Sequence, residues 1–151
     1  MRHARQAIAA GGDDAAALAT AGFVIAVAEH DYETALAAFD RALRLSPFDR
    51  LIYLPYVGLA YAHFAASRFE EAAAAASLAS QSNPRFSVPH TLHAAALAGL
   101  GRSEEAKAVA QRLFELEPGI TAGAAIHSAR YANPKNITAL GNALRRAGLP
   151  E

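Results

Sequence analysis

Two histidines, His90 and His93, have the spacing in this sequence that most suggests metal chemistry. They are three positions apart, so on a helix they would lie on one face. Two imidazoles could begin a zinc site, but such a site needs a third protein ligand and often a fourth. No carboxylate or further histidine stands nearby at a ligand spacing. We therefore interpret both histidines as packing residues and predict no metal site.

Two pairs of carboxylates, Glu70-Glu71 and Glu104-Glu105, have the residue types that general acid–base catalysis uses. Each pair stands at the start of a predicted helix, where the helix dipole favours negative charge. This position explains the glutamates without any chemistry, and we interpret them as residues that begin helices.

No other motif supplies a nucleophile or a phosphate-binding loop. Gly11-Gly12 and the Gly99–Gly101 segment lack a following Lys-Ser/Thr, and the scattered serines lack the context of a nucleophile elbow. The absence of cysteine excludes a thiolate zinc site and a cysteine nucleophile. We predict no catalytic residue and no cofactor, so the chain is not expected to be an enzyme.

The charge balance argues against nucleic acid as a partner. Fourteen Lys and Arg residues match fourteen Asp and Glu residues among 151, which leaves no basic footprint. No apolar run approaches the ~18 residues that span a bilayer. No long apolar segment follows the basic residues at positions 2–5, so a signal peptide is not expected. We predict a cytoplasmic location without a membrane partner.

Composition favours helices as the elements that position these residues. Alanine is the commonest residue, and it has the highest helix propensity. β-branched residues are sparse and never alternate over the length of a strand. The fold class is therefore predicted to be all-α.

Three segments of the sequence have the same features in the same order. Each has a predicted turn, then a helix with an acidic first turn and an alanine, and then a proline that ends the helix. Both the alanines and the prolines recur after 37 and then 34 residues. The positions are Ala35, Ala72 and Ala106, and Pro47, Pro84 and Pro118. We place the three extra residues of the longer interval near residues 48–53, in a connection between units. One extra residue between Gly22 and Ala35 predicts a longer turn at residues 28–31.

A 34-residue repeat with these turn and proline positions resembles the repeat of the tetratricopeptide-repeat (TPR) family. The resemblance implies an α-solenoid of antiparallel helix pairs, with about three repeats, a half repeat at the N-terminus and a C-terminal capping helix pair. The expected single domain, 1–151, divides into a partial repeat helix at 1–12, repeats at 14–47, 53–84 and 87–118, and capping helices at 120–148. The half repeat leads us to expect that the chain belongs to a longer array or multidomain protein.

Two tracts are more specific than the repeat. One comprises residues 45–50 (Leu-Ser-Pro-Phe-Asp-Arg), 61–64 (Tyr-Ala-His-Phe) and 68–72 (Arg-Phe-Glu-Glu-Ala), and the other runs from Leu144 to Glu151. Together they resemble the C-terminal TPR region of bacterial class III adenylate and guanylate cyclases. In those proteins a separate domain carries the catalysis. The resemblance therefore carries over no catalytic residue.

The first helix of each pair is expected to line a groove, because stacked repeats present one helix of each unit on their inner side. Aligning the units predicts an apolar groove with few charges. Its candidate residues are Phe23, Val27, Leu54, Val57, Tyr61, Phe64, Val88 and Thr91. Such a groove suits an amphipathic helix. That helix could belong to a partner protein, to the C-terminal pair of the same chain, or to a second copy. Alternatively, these side chains simply fill a tightly wound core.

The predicted function is that of a non-catalytic protein–protein interaction scaffold. We expect the regulatory or oligomerisation module of a larger bacterial signalling protein, such as an adenylate cyclase. The alternative is a free-standing TPR adaptor or homo-oligomerisation protein.

Overall fold

A computed structural model describes residues 2–10, 13–127 and 134–151, and the regular structure in those ranges is helical, with no strand. The helices are α1 (Arg2–Ala9), α2 (Ala15–Val24, continued by a π-helical turn at Ile25–Glu29), α3 (Tyr32–Leu45), α4 (Tyr53–Ala65), α5 (Phe69–Ser82), α6 (Ser87–Gly99), α7 (Ser103–Leu116), α8 (Ala122–His127) and α9 (Pro134–Arg146). Gly11, Gly12 and the part of the predicted capping pair at 128–133 lie outside the described residues.

Successive helices pack on one another along the chain. Contacts join α1 to α2, α2 to α3 and so on to α7, while α9 packs on α6 and on α8. The prediction of an all-α fold is confirmed. None of the helices in the described part of the chain is long and apolar enough to cross a membrane.

Three helical hairpins, α2–α3, α4–α5 and α6–α7, turn through a residue with a left-handed backbone. The residues are His30 (φ 56°), Ser67 (φ 60°) and Gly101 (φ 75°). The Ser67 and Arg68 amides donate to the Phe64 and His63 carbonyls at 2.9 and 2.8 Å. The same two bonds recur 34 residues later, from Gly101 to Ala98 and from Arg102 to Leu97. This pattern is a Schellman cap, which ends a helix sharply.

The second helix of each hairpin also repeats its structure. α3, α5 and α7 each have 14 residues and end two positions before the prolines at 47, 84 and 118, as predicted. Ala35, Ala72 and Ala106 occupy the fourth position of these helices, and each is fully buried. A larger side chain there would separate helices that cross closely.

The connections between hairpins account for the unequal intervals. Seven residues, 46–52, join α3 to α4, whereas four residues, 83–86, join α5 to α6. The three extra residues therefore lie in the connection where the sequence predicted them. A surface connection accepts such an insertion at little entropic cost.

The extra residue of the first hairpin is not in its turn, so that prediction is wrong. His30 follows Gly22 by eight positions, whereas Ser67 follows Ala60 and Gly101 follows Ala94 by seven. Gly22, Ala60 and Ala94 are all buried in the first helix of their hairpins. The additional residue is taken up by the π-helical turn at Ile25–Glu29, because i→i+5 bonding admits one residue without ending the helix.

Phe39 fixes the spacing of the first hairpins. Its side chain is fully buried, and its ring meets Phe23 edge-on at 5.0 Å between centroids. The ring also lies against Gly22 of α2 and Gly58 of α4, where any added Cβ would collide with it. Glycine at both positions therefore makes room for one aromatic ring between three helices.

Candidate binding cavity

Six of the eight predicted groove residues line one cavity of about 420 Å³. They are Phe23, Val27, Val57, Tyr61, Val88 and Thr91. Each comes from the first helix of a hairpin: α2 with its π-helical turn, α4 or α6. The structure therefore brings together side chains that are 68 positions apart along the chain.

The other two predicted residues lie elsewhere. Phe64 is 5% exposed and packs at 5.4 Å between ring centroids against Phe69, inside its own hairpin. It belongs to the core, because it stands in the last turn of α4 where the chain folds back. Leu54 lines a smaller cavity of about 220 Å³ between α2, the 46–52 connection and the start of α4.

The C-terminal helices supply the remaining wall. Ile120, Ala124 and Ala125 of the α8 region and Leu140 of α9 line the same cavity. The Asn136 side-chain amide, near the start of α9, donates to the Tyr32 hydroxyl at 2.7 Å, across 104 positions of sequence. The Ala122 amide donates to the Pro150 carbonyl at 2.7 Å, which ties α8 to the segment after α9. The predicted groove is thus covered by the chain's own C-terminal pair.

The sequence analysis did not predict that residues of α8 and α9 line the cavity, although one sequence feature indicated how α9 packs. The Gly148 and Leu149 amides donate to the Arg145 and Leu144 carbonyls at 3.0 and 3.1 Å. These are the same two bonds that end α4 and α6, and Gly148 has the same left-handed backbone (φ 101°). The Gly148-Leu149 pair after an amphipathic helix could have identified α9 as equivalent to a first helix of a hairpin.

Charge is segregated between the two helices of each hairpin. The α-helical spans of α2, α4 and α6 contain no Asp, Glu, Lys or Arg, whereas α3, α5 and α7 contain all the charged residues of the hairpin helices except Glu29 of the π-helical turn. Within the described ranges, Glu117, in the exposed connection after α7, is the one charged residue that lines the cavity. The cavity therefore disfavours charged groups, because a buried charge without a partner is costly.

The Tyr61 side chain brings a hydroxyl group to this apolar site. The hydroxyl is buried, and within the described residues it makes no hydrogen bond of normal geometry. Burial raises the pKa of Tyr61 to about 12, and the neighbouring Tyr32 adds to the rise, while the nearby Asn136 amide opposes it. The phenol is therefore neutral at physiological pH and keeps a proton to donate.

The candidate metal ligands are packing residues in this structure. His90 is 8% exposed, and its Nε2 lies 3.3 Å from the Pro84 carbonyl oxygen. Burial, with the neighbouring His90 and Arg102, lowers the pKa of His93. Within residues 2–10, 13–127 and 134–151, no three His, Asp or Glu side chains converge in a way that could hold a metal ion.

The paired glutamates lie on the outer surface, in the first turns of α5 and α7. Arg102 contacts Glu105 at 2.7 Å and Glu70 at 3.5 Å, and Arg68 pairs with Glu33. The Arg102–Glu70 and Arg68–Glu33 pairs link consecutive hairpins, whereas Arg102–Glu105 lies within one hairpin. Solvent screens all three pairs on this exposed face. The carboxylates are not gathered in a cleft as acid–base catalysis would require.

No protein-family model matches the chain, and no curated protein matches it significantly. What the chain does must therefore be inferred from its own residues and geometry.

Proposed function

We propose that this chain is a TPR-type scaffold that binds another polypeptide and carries out no catalysis itself. The recurring caps, buried alanines and proline stops, at intervals of 37 and 34 residues, support a repeat of the TPR kind. The module would belong to a larger bacterial signalling protein, and the cyclase-like tracts at 45–50 and 144–151 support that placement.

The observation that carries the proposal is the uncharged inner layer. Three consecutive hairpins present helices without Asp, Glu, Lys or Arg to a cavity with mainly apolar walls. A core that served stability alone would be filled to the density of an organic crystal. A space of about 420 Å³ among these helices instead suits the apolar side chains of a bound amphipathic helix.

In this arrangement α8 and α9 occupy part of the partner's path. A partner helix would place its apolar side chains between α2, α4 and α6, and would compete with Leu140 and Ala125 for those contacts. The Asn136–Tyr32 hydrogen bond would then break in the bound state.

A displayed library of random peptides tests the proposal, because it samples many partner sequences at once. Peptides selected on the wild-type chain should have apolar residues at i, i+3, i+4 and i+7, the pattern of a helix in a groove. Their affinity, measured by calorimetry, should fall at least tenfold with Val88→Arg, because the half-buried Val88 lines the cavity. Leu78→Arg is the matched control, since Leu78 is 44% exposed on α5 and does not line the cavity.

The proposal fails if no such peptides are selected, or if Val88→Arg and Leu78→Arg bind them equally while both variants stay folded. Circular dichroism of each variant would establish that the fold is retained.

A second candidate, a homo-oligomerisation unit, is favoured by two exposed apolar side chains in the connection between α3 and α4. Phe48 is 97% exposed and Leu51 is 53% exposed, although large apolar side chains gain from leaving water. If this connection joins copies of the chain, Phe48→Ser should lower the molar mass measured by light scattering. A monomeric wild-type chain would rule out that role.

A further inference from the structure

We propose that the cavity under α8 and α9 binds a small, uncharged, mostly apolar molecule that carries one hydrogen-bond acceptor. This inference does not rest on polypeptide binding, because it concerns the space that remains when the chain's own C-terminal helices are in place. It gives the molecule a ligand-binding site in addition to a docking surface.

The size and the walls of the cavity are those of a ligand site. Pockets for small molecules have volumes of about 300–1,000 Å³, with apolar walls and a few polar groups that orient the ligand. This cavity has a volume of about 420 Å³, and its walls are mainly aliphatic and aromatic. It draws on α2, α4, α6, α8 and α9, so the site is complete only when the C-terminal pair is docked.

The charges of the walls select against an ionic ligand. Among the lining residues that the structure describes, there is no Lys or Arg to pair with an anion. Glu117 is exposed in the connection between α7 and α8, and its negative charge disfavours an anion further. A cation would have to leave water for apolar walls, with only this solvated carboxylate in reach. A neutral molecule incurs neither penalty.

The Tyr61 hydroxyl is the reason that we expect the ligand to carry a hydrogen-bond acceptor. It is the one lining residue, among those that the structure describes, whose buried side-chain polar atom has no hydrogen-bond partner. Buried hydroxyl groups are nearly always satisfied, so an unsatisfied one beside an apolar space indicates a missing partner. A ligand carbonyl or ether oxygen would accept the Tyr61 proton, while the rest of the molecule contacts Phe23, Val57 and Leu92.

Two other polar groups in or beside the wall are already engaged in hydrogen bonds. The Thr91 hydroxyl donates to the Ser87 carbonyl at 3.4 Å, along its own helix. The Asn136 amide donates to Tyr32, and it acts on Tyr61 as a donor too, because it opposes the rise of the Tyr61 pKa; the Tyr61 O–H still has no acceptor. The ligand is therefore expected to make one directional contact, to Tyr61, and otherwise to bind through its apolar area.

Prodan, a neutral dialkylamino-naphthyl ketone, is a suitable probe because its emission reports both the polarity around it and hydrogen bonding to its carbonyl. The full chain should take up one prodan molecule with a saturable rise in blue-shifted emission. Tyr61→Phe keeps the ring and removes the hydroxyl. It should weaken binding by about three- to tenfold, the effect of one hydrogen bond, and should move the bound emission further to the blue.

Substitutions that fill the cavity with a larger side chain provide a second test of the ligand site. Val88→Trp should lower prodan affinity at least tenfold, and Ser87→Phe, at a neighbouring position of the wall, should do the same. Leu78→Trp, on the exposed face of α5, should leave it unchanged. Prodan should raise the melting temperature of the wild-type chain, as any ligand of the folded state does, and should fail to raise that of the two filled variants.

The inference is overturned if the wild-type chain shows no saturable uptake, or if Val88→Trp and Ser87→Phe bind prodan as well as Leu78→Trp does. Equal affinity and equal emission for wild type and Tyr61→Phe would overturn the assignment of the acceptor. Peptide binding is a separate outcome. Prodan binding without peptide binding would leave only the ligand site, and the converse would leave only the docking surface.

Discussion

At the scale of single residues, the Phe39 ring lies so close to two glycines that neither could carry a side chain. Gly58 has no room for a Cβ beside this ring, and a Cβ on Gly22 would lie 2.8 Å from Phe39 Cε1. Real carbon atoms do not approach so closely without displacement. Helix interiors disfavour glycine on propensity, so its presence at both positions reflects this packing.

We expect Gly58→Ala to destabilise the chain by about 1–3 kcal/mol, because overpacking displaces the Phe39 ring. The loss should be smaller in a Phe39→Leu background, since the smaller side chain leaves room for the methyl group. Chemical denaturation of the four chains of this double-mutant cycle measures the coupling. Gly123→Ala is the control: its Cβ would meet only Thr121 Oγ1 at 3.7 Å, so it should be neutral or stabilising.

His93 should make the stability of the chain depend on pH. Burial lowers the pKa of His93 in the folded state, so below the ordinary value of about 6.5 the unfolded chain binds the proton more readily. Stability is therefore complete above that value and declines as the pH falls towards and through the lowered pKa. His63, which burial affects in the same direction, adds to the decline.

The melting temperature of wild type, His93→Gln and the exposed His3→Gln, followed from pH 8 to pH 5, checks this expectation. The decline on acidification should be shallower for His93→Gln than for the other two chains. Three parallel curves would show that His93 does not contribute.

At the scale of helices, the π-helical turn at Ile25–Glu29 allows the residues before it and the residues after it to keep their separate required orientations. Gly22, before the turn, must face Phe39, and His30, after it, must adopt the left-handed conformation that starts α3. With eight positions between them, a plain α-helix would rotate one of these residues by about 100° from its place. The turn removes that conflict.

Deletion of Ala28, an exposed residue of the π-helical turn, should therefore be tolerated. It restores the seven-position interval of the other hairpins and allows continuous i→i+4 bonding through α2. Deletion of Leu78, exposed in the regular helix α5, should cost several kcal/mol, because it rotates the buried Ala79 and every later position of that helix. Thermal unfolding compares the two deletions, and equal losses would contradict this account of the turn.

At the scale of the whole molecule, the hairpin α6–α7 is followed by helices that fold back over the inner face. The hydrogen bond from Asn136 to Tyr32 ties the start of α9 to the start of α3 across 104 positions of sequence. Leu140 then reaches the cavity from α9.

Asn136→Ala should loosen α9 while leaving the three hairpins intact. The lost hydrogen bond is worth about 0.5–1.5 kcal/mol, and hydrogen exchange should show faster exchange confined to α8 and α9. Asn142→Ala, on the exposed side of the same helix, is the control. Tyr32→Phe should reproduce the effect, and adding it to Asn136→Ala should cost little more. Uniform acceleration in all helices would show that α9 is part of one cooperative unit.

How far the sequence could predict this structure depends on the range of the interactions. The helices of the hairpins and their ends follow from local signals, such as the acidic first turns and the prolines at 47, 84 and 118. The placement of Phe64 does not: it shares a helical face with Tyr61, yet Phe69 draws it into the hairpin core. The position of α9 depends on packing against α6 and on the Asn136–Tyr32 hydrogen bond across 104 positions, and the repeat spacing predicts neither contact.

The Asn136–Tyr32 bond also has a consequence for how the chain folds. Nearly all other packing joins neighbouring helices, and such topologies form quickly because little loop entropy is lost. Each hairpin can assemble as soon as its own residues are available, in any order. The hydrogen bond from α9 to α3 joins residues 104 positions apart and loses more loop entropy, so we expect the cavity to close after the hairpins have formed.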